Sequence, residues 1–199
     1  MFTLQQKDAL VGMFKSRCEQ VVPFLSGLTG HNVLLQVPAI NLQPSNQLPD
    51  LLTELTGHDI AAVHQFLAGP VVSDALFVLN QRTALVLTNL LSADRPSLPK
   101  LDASDREALT EVANNLINAC LGALGDLLHD PIASAIPHLR LDSFSGMIHS
   151  FAVGEDEMRD DLVLTIDFLL RENSLRGYLI VMLNRVATNR LLEAVELMG

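Results

Sequence analysis

Glu107, Glu111, Asn114 and Asn118 follow one another at steps of four, three and four residues. At about 100° per residue this sets them within about 60° of one another on a helix. They form one polar strip, nearly opposite an apolar stripe made by Leu109, Val112, Ala113, Leu116, Ile117, Cys120, Leu121 and Leu124. A solvated face is the ordinary account of such a strip. The amides argue for another one. Asn114, Asn115 and Asn118 stand mid-helix, where each costs about 0.5–0.7 kcal/mol relative to Ala because the short amide competes for backbone hydrogen bonds. Lys, Glu or Gln would serve solubility without that cost. A carboxylate one turn from an amide can hold a cationic group of a partner while the amide fixes a water for attack on a phosphoryl group. Neither need be a strong base, since phosphoryl transfer rests on positioning and electrostatics.

Other residues offer less. His31, His58, His64, His129, His138 and His149 are scattered, and none pairs with another at metal-site spacing beside an acid. They read as structural or surface histidines. The run from Ser143 to Met147 lacks the Gly-x-Ser-x-Gly elbow of a serine hydrolase. Cys18 and Cys120 are the whole cysteine complement, too few for a four-cysteine zinc site or a disulfide scaffold, and they read as core thiols. The acidic cluster Glu155 to Asp161 lacks the glycine and spacing of a calcium loop and reads as a solvated turn region. No glycine-rich phosphate loop is present. Met182 and the aromatic side chains fall in apolar runs and belong to the core.

The strip needs a scaffold. Leu10, Met13, Phe14, Cys18, Val21, Val22 and Leu25 recur at helical steps, with Gly27 and Gly30 placed to stop the helix. Asn32 to Pro38 reads as a strand, and Asn41 to Asp50, rich in Pro and Asn, as a loop. Ala61 to Ala68 and Ser73 to Asn80 read as an antiparallel pair around Gly69 and Pro70, and Thr83 to Leu91 as a helix. Arg95 to Lys100 carries two prolines without apolar periodicity and marks a boundary. A second cycle follows: the striped helix, with Ser104 and Glu107 as its capping box, a strand over Ile132 to Leu141, strands over Leu162 to Leu170 and Gly177 to Leu183, and a closing helix over Val186 to Leu197.

The two cycles align. A shift of 99 residues pairs Leu10 with Leu109, Met13 with Val112, Cys18 with Ile117, Leu25 with Leu124, Val33 with Ile132 and Pro38 with Pro137. Farther on the shift becomes 103, where Ala75 to Val78 meets Tyr178 to Val181. The expected fold is α/β in the broad sense (α+β). It is one domain over 1–199 made of two repeats, about 1–93 and about 101–199, with long helices on a continuous antiparallel-rich sheet about a pseudo-twofold axis.

Composition limits the partners. The 199 residues are 49% hydrophobic and 18% charged, which is globular rather than disordered. A formal charge of −10 without a basic block argues against nucleic acid. The amino terminus lacks the pattern of a secretory signal, and the uncharged stretch Gln20 to Pro49 is broken well short of the roughly 20 apolar residues that span a bilayer. The expectation is a cytoplasmic chain without a membrane span.

Glu111-x2-Asn114, followed after 22 residues by Pro137, resembles the signature of the CheC/CheX/FliY family of chemotaxis phosphatases. The duplicated helix and sheet plan, the recurrence of Pro38 in the first cycle, and the stretches Val63 to Gly69 and Asp74 to Leu79 extend the likeness over nearly the whole chain. The resemblance implies hydrolysis of the aspartyl phosphate of a CheY-like response regulator. Glu111 would engage a lysine of the regulator and Asn114 would orient the attacking water. No cofactor would be bound by this chain, because Mg2+ would be supplied by the regulator. The family pattern has Asp or Ser where this chain has Glu107, which reads either as a supporting site residue or as the capping partner of Ser104. Asn118 and Pro137 are further supporting candidates. In the first cycle the motif positions hold Asp8, Gly12 and Lys15. Gly12 has no side chain and Lys15 cannot accept a proton, so the resemblance implies one site, with the first half retained for the fold. A non-catalytic docking module for a response regulator or a flagellar switch component is the alternative. A homodimer remains open.

Overall fold

The computed structural model describes residues 2–68, 72–91, 100–143 and 160–197. Among them are six α-helices: α1 (Leu4–Glu19), α2 (Val22–Thr29), α3 (Leu48–Thr56), α4 (Gln81–Leu91), α5 (Ala103–Leu128) and α6 (Arg185–Glu196). The seven strands are β1 (Val33–Pro44), β2 (Asp59–Ala68), β3 (Val72–Asn80), β4 (Ala133–Ser134), β5 (His138–Ser143), β6 (Asp160–Leu170) and β7 (Asn173–Leu183). The class is α+β, as the alternation of apolar periods implies.

The strands form one sheet in the order β1-β6-β7-β3-β2, and both β4 and β5 pair with β2 at its far edge. Every pairing is antiparallel. The strand after α1 lies against β6, and the strand after α5 lies against β2. Each long helix therefore leads into a strand that completes the other cycle's hairpin. Alternate residues face opposite sides of the sheet. Val63, Phe77, Leu164 and Leu179 join the core under α1, α2, α4, α5 and α6, while Ile60, Leu76, Val163, Ile180 and Met182 pack on the other face with Leu48 and Leu52 of α3. Burial on both faces explains why the central strands read as nearly continuous apolar runs.

Helix ends follow from local chemistry. The Thr3 hydroxyl accepts from the Gln6 amide while the Thr3 amide donates to Gln6 Oε1, and Asp102 and Asp105 do the same for α5. These two capping boxes stand 99 residues apart. Asn80 Oδ1 accepts from the Thr83 amide at 2.7 Å and Asn184 Oδ1 from the Ala187 amide at 2.9 Å, starting α4 and α6. α1 and α5 meet at Cys18 and Cys120, both fully buried, with sulfurs 3.7 Å apart. The hydrogen bond that the Cys120 thiol shares with Cys18 Sγ, and then its burial, hold Cys120 well above its ordinary range.

Several expectations are corrected. The first helix is not continuous to Leu25: it breaks at Gln20, and Pro23 sits in the first turn of α2. Its ring cannot accommodate the carbonyl four residues earlier. Asn41 to Asp50 is not a loop, because β1 runs on to Pro44 in register with β6, and α3 follows after one 3-10 turn. An edge strand has the room for proline that a central strand lacks, and the register of β1 shifts between Gln36 and Ala39, beside Pro38. The capping box of α5 is Asp102 with Asp105, not Ser104 with Glu107. Asp160 and Asp161 belong to β6, with Asp161 buried, rather than to a solvated turn. The rest of that acidic cluster, the Gly69-Pro70 turn, most of the 95–100 boundary and 144–147 lie outside the described residues.

Candidate functional site

The polar strip faces an open cleft of about 490 Å3 lined by Arg106, Glu107, Thr110, Glu111, Asn114 and Pro137. Helix α5 supplies the first five, and Pro137 comes from the break between β4 and β5. That break brings the proline to the helix, as the 22-residue spacing requires of any joint site. Glu107 and Glu111 are exposed and Asn114 is half-buried. Two carboxylates stand against the single guanidinium of Arg106, so the cleft suits a cationic partner group.

Asn114 is the most constrained member. Its Oδ1 accepts from Gln65 Nε2 at 2.8 Å and from Asn118 Nδ2 at 3.1 Å. Those two bonds occupy both lone pairs of the amide oxygen and leave the NH2 group to serve the cleft. Asn118 is held in turn by Ser134, whose hydroxyl donates to Asn118 Oδ1 at 2.8 Å. Asn118 thus supports Asn114 from one turn along and does not line the cleft itself. Asn115 donates to the Glu111 backbone carbonyl at 2.9 Å, a bond internal to the helix that takes it out of the site.

Gln65, Ser134, Arg106 and Thr110 were not legible as site residues from spacing. Only Gln65 carries a signal, being an amide inside the apolar run from Ala61 to Ala68. The counterparts Asp8, Gly12 and Lys15 lie exposed on α1. Lys15 approaches Glu19 at 3.9 Å, an ordinary surface pair. Among the described residues no group of three His, Cys, Asp or Glu side chains could hold a metal ion, and no helix is long and apolar enough to cross a membrane.

No protein-family model matches the sequence, and no curated protein matches it either. Solved structures do match in shape. FliY from Thermotoga maritima superposes with a TM-score of 0.73 at 14% identity, covering 100% of both chains. FliM in the FliG-FliM complex from H. pylori gives 0.65 at 10% identity, covering 96% of this chain and 100% of that one. The chain has a CheC/FliY-like fold. A CheC-like superfamily protein from Shewanella sp. PV-4 gives 0.50 at 12% identity, over 92% of this chain and 99% of that one. At these identities the likeness is one of fold.

Proposed function

We propose that this chain hydrolyses the aspartyl phosphate of a CheY-like response regulator. The observation that carries the reading is Asn114, an amide whose oxygen is saturated by two internal donors and whose nitrogen is left to a cleft edged by Glu107, Glu111 and Pro137. Glu111 would pair with a lysine of the regulator and seat the acyl phosphate at the cleft. The Asn114 N–H would donate to the water oxygen and hold it in line with the phosphorus. Attack forms the new P–O bond as the bond to the aspartyl oxygen breaks, releasing a carboxylate and inorganic phosphate. The water proton passes to phosphate or solvent, because a loose transition state asks for little base assistance. Mg2+ belongs to the regulator in this scheme, and no residue of this chain is assigned to it.

The same reading treats 1–199 as one domain of two repeats, the second carrying the intact motif. The reciprocal pairing of β1 with β6 and β5 with β2 supports it, as do the capping boxes at one shift. A docking module is the second reading, favoured by the FliM match, whose structure is of a complex with FliG. Phosphate release from a phosphorylated regulator separates the two. The phosphatase reading expects release to accelerate with added chain beyond the regulator's own hydrolysis. Binding without acceleration at saturating chain would leave the docking module.

A further inference from the structure

Gln65 sits on β2 at 1% exposure, on the face of the sheet that carries Ala61 and Val63 into the core. Its Nε2 donates to two acceptors at once, the backbone carbonyl of Ala135 at 3.0 Å and Asn114 Oδ1 at 2.8 Å. Its Oε1 is buried with no hydrogen-bond partner. A strand position chosen for packing alone would hold an apolar side chain there, since a buried carbonyl left unpaired destabilises the fold. The polarity of the chain of bonds has one fixed end. A backbone carbonyl can only accept, so Ala135 obliges Gln65 to present its NH2 group. The second hydrogen of that group then obliges Asn114 to present its oxygen inward. Amide orientation is thereby passed from the strand break that carries Pro137, through a residue of the first half, to the helix of the second.

We propose that Gln65 is a positioning residue that fixes the Asn114 amide with its N–H toward the cleft, so that the half lacking the motif takes part in the site. This rests on the phosphatase reading for its kinetic consequence but not for its structural one. A bound group at Asn114 must then be an acceptor, either a water oxygen or a phosphoryl oxygen.

The test compares wild type, Gln65→Met and Gln65→Glu by two measurements. One is steady-state phosphate release from a phosphorylated CheY-like regulator. The other is the side-chain amide signals of Asn114 in 15N-labelled protein without regulator. Gln65→Met removes the donor and the unpaired carbonyl together and should remain folded, the bond lost to the Ala135 carbonyl being offset by removal of the buried unpaired oxygen. It should lower kcat by about 10–100-fold, since loss of aim rather than of contact is involved, with KM within about twofold. The Asn114 signals should move and exchange faster with water. Gln65→Glu is a carboxyl that burial and two facing acceptor oxygens hold above the usual carboxylate range. It should therefore keep a hydrogen to donate and much of the wild-type kcat at low pH, and lose at least as much kcat as Gln65→Met as pH rises and it ionises. Unchanged kcat and unmoved Asn114 signals in the folded variants would overturn the proposal. If wild type itself releases no phosphate, the phosphatase reading fails alone, and the Asn114 signals still decide whether Gln65 positions the amide.

Discussion

Asp102 and Asp105 close the start of α5 on each other, the Asp105 amide donating to Asp102 Oδ1 at 2.8 Å and the Asp102 amide to Asp105 Oδ2 at 3.0 Å. The helix end is complete without Glu107, which lines the cleft instead. Of the two roles its sequence position allows, capping is taken by Asp102 and Asp105, and a supporting role at the cleft belongs to the proposed function.

Asp102→Ala should therefore cost about 1 kcal/mol of stability by removing the cap. For a chain of this size that is about 2–4 °C in Tm. Glu107→Ala should leave stability within about 0.5 kcal/mol, as an exposed residue away from caps and core does. Thermal unfolding of the two variants checks this. A loss in Glu107→Ala equal to that in Asp102→Ala would return Glu107 to a purely structural role.

Glu111→Gln should weaken the functional complex with the regulator while leaving the fold intact, because Glu111 is exposed and makes no ion pair with its own chain among the described residues. The difference from wild type should shrink with added salt, since exposed charges are screened over about 8–10 Å at 0.1–0.15 M. Titration of binding at low and high salt reads it. An unchanged low-salt affinity would take Glu111 out of docking.

Apolar periods made the long helices, the central strands and their common core legible, because both sheet faces are buried and β-branched or leucine-rich runs leave few alternatives. The polar strip was legible because asparagine at Asn114 and Asn118 is costly in a helix and needs a reason. Gln65 and Ser134 escaped because they reach Asn114 and Asn118 across 49 and 16 residues of chain, and no period encodes which strand residue faces a given helix turn. Pairing also decided what propensity could not. Asn41 to Pro44 reads as a loop in isolation and becomes strand through register with Val163 to Asp160. Aspartate and serine are both good caps, so composition alone did not choose Asp102 over Ser104.

Gly177 on β7 lies where a Cβ would come within 2.7 Å of Leu79 Cδ2 and 2.9 Å of two Phe77 ring atoms. The Phe77 ring is buried and rests edge-on against Phe168, with centroids 5.9 Å apart, so it has little room to yield. Gly177→Ala should destabilise by about 1–3 kcal/mol through overpacking, despite alanine's smaller backbone entropy cost. Denaturant unfolding with an unchanged m-value would show it. A variant as stable as wild type would mean the β3 and β7 side chains repack freely.

Asn114 allows its donor to be tested apart from its acceptor. Asn114→Ala removes both, and it carries opposing effects on stability: helix propensity improves by up to about 0.7 kcal/mol, while the buried N–H of Gln65 loses a partner, which costs about 1–3 kcal/mol. A net loss on the order of 1 kcal/mol follows, so a fall in activity in that variant alone would be open to a structural account. Asn114→Asp removes the ambiguity. Its carboxylate still accepts from Gln65 and Asn118 and keeps the size of the side chain, but it has no hydrogen to give the cleft. Stability should stay within about 0.5 kcal/mol of wild type. Turnover of the phosphorylated regulator should fall by about 2–4 kcal/mol of transition-state stabilisation in both variants, the loss typical of one positioned donor. Lys15→Ala, at the counterpart position on α1, should turn over like wild type. Wild-type turnover in Asn114→Asp would show that the cleft needs no N–H at that position, and the catalytic assignment of Asn114 would go with it.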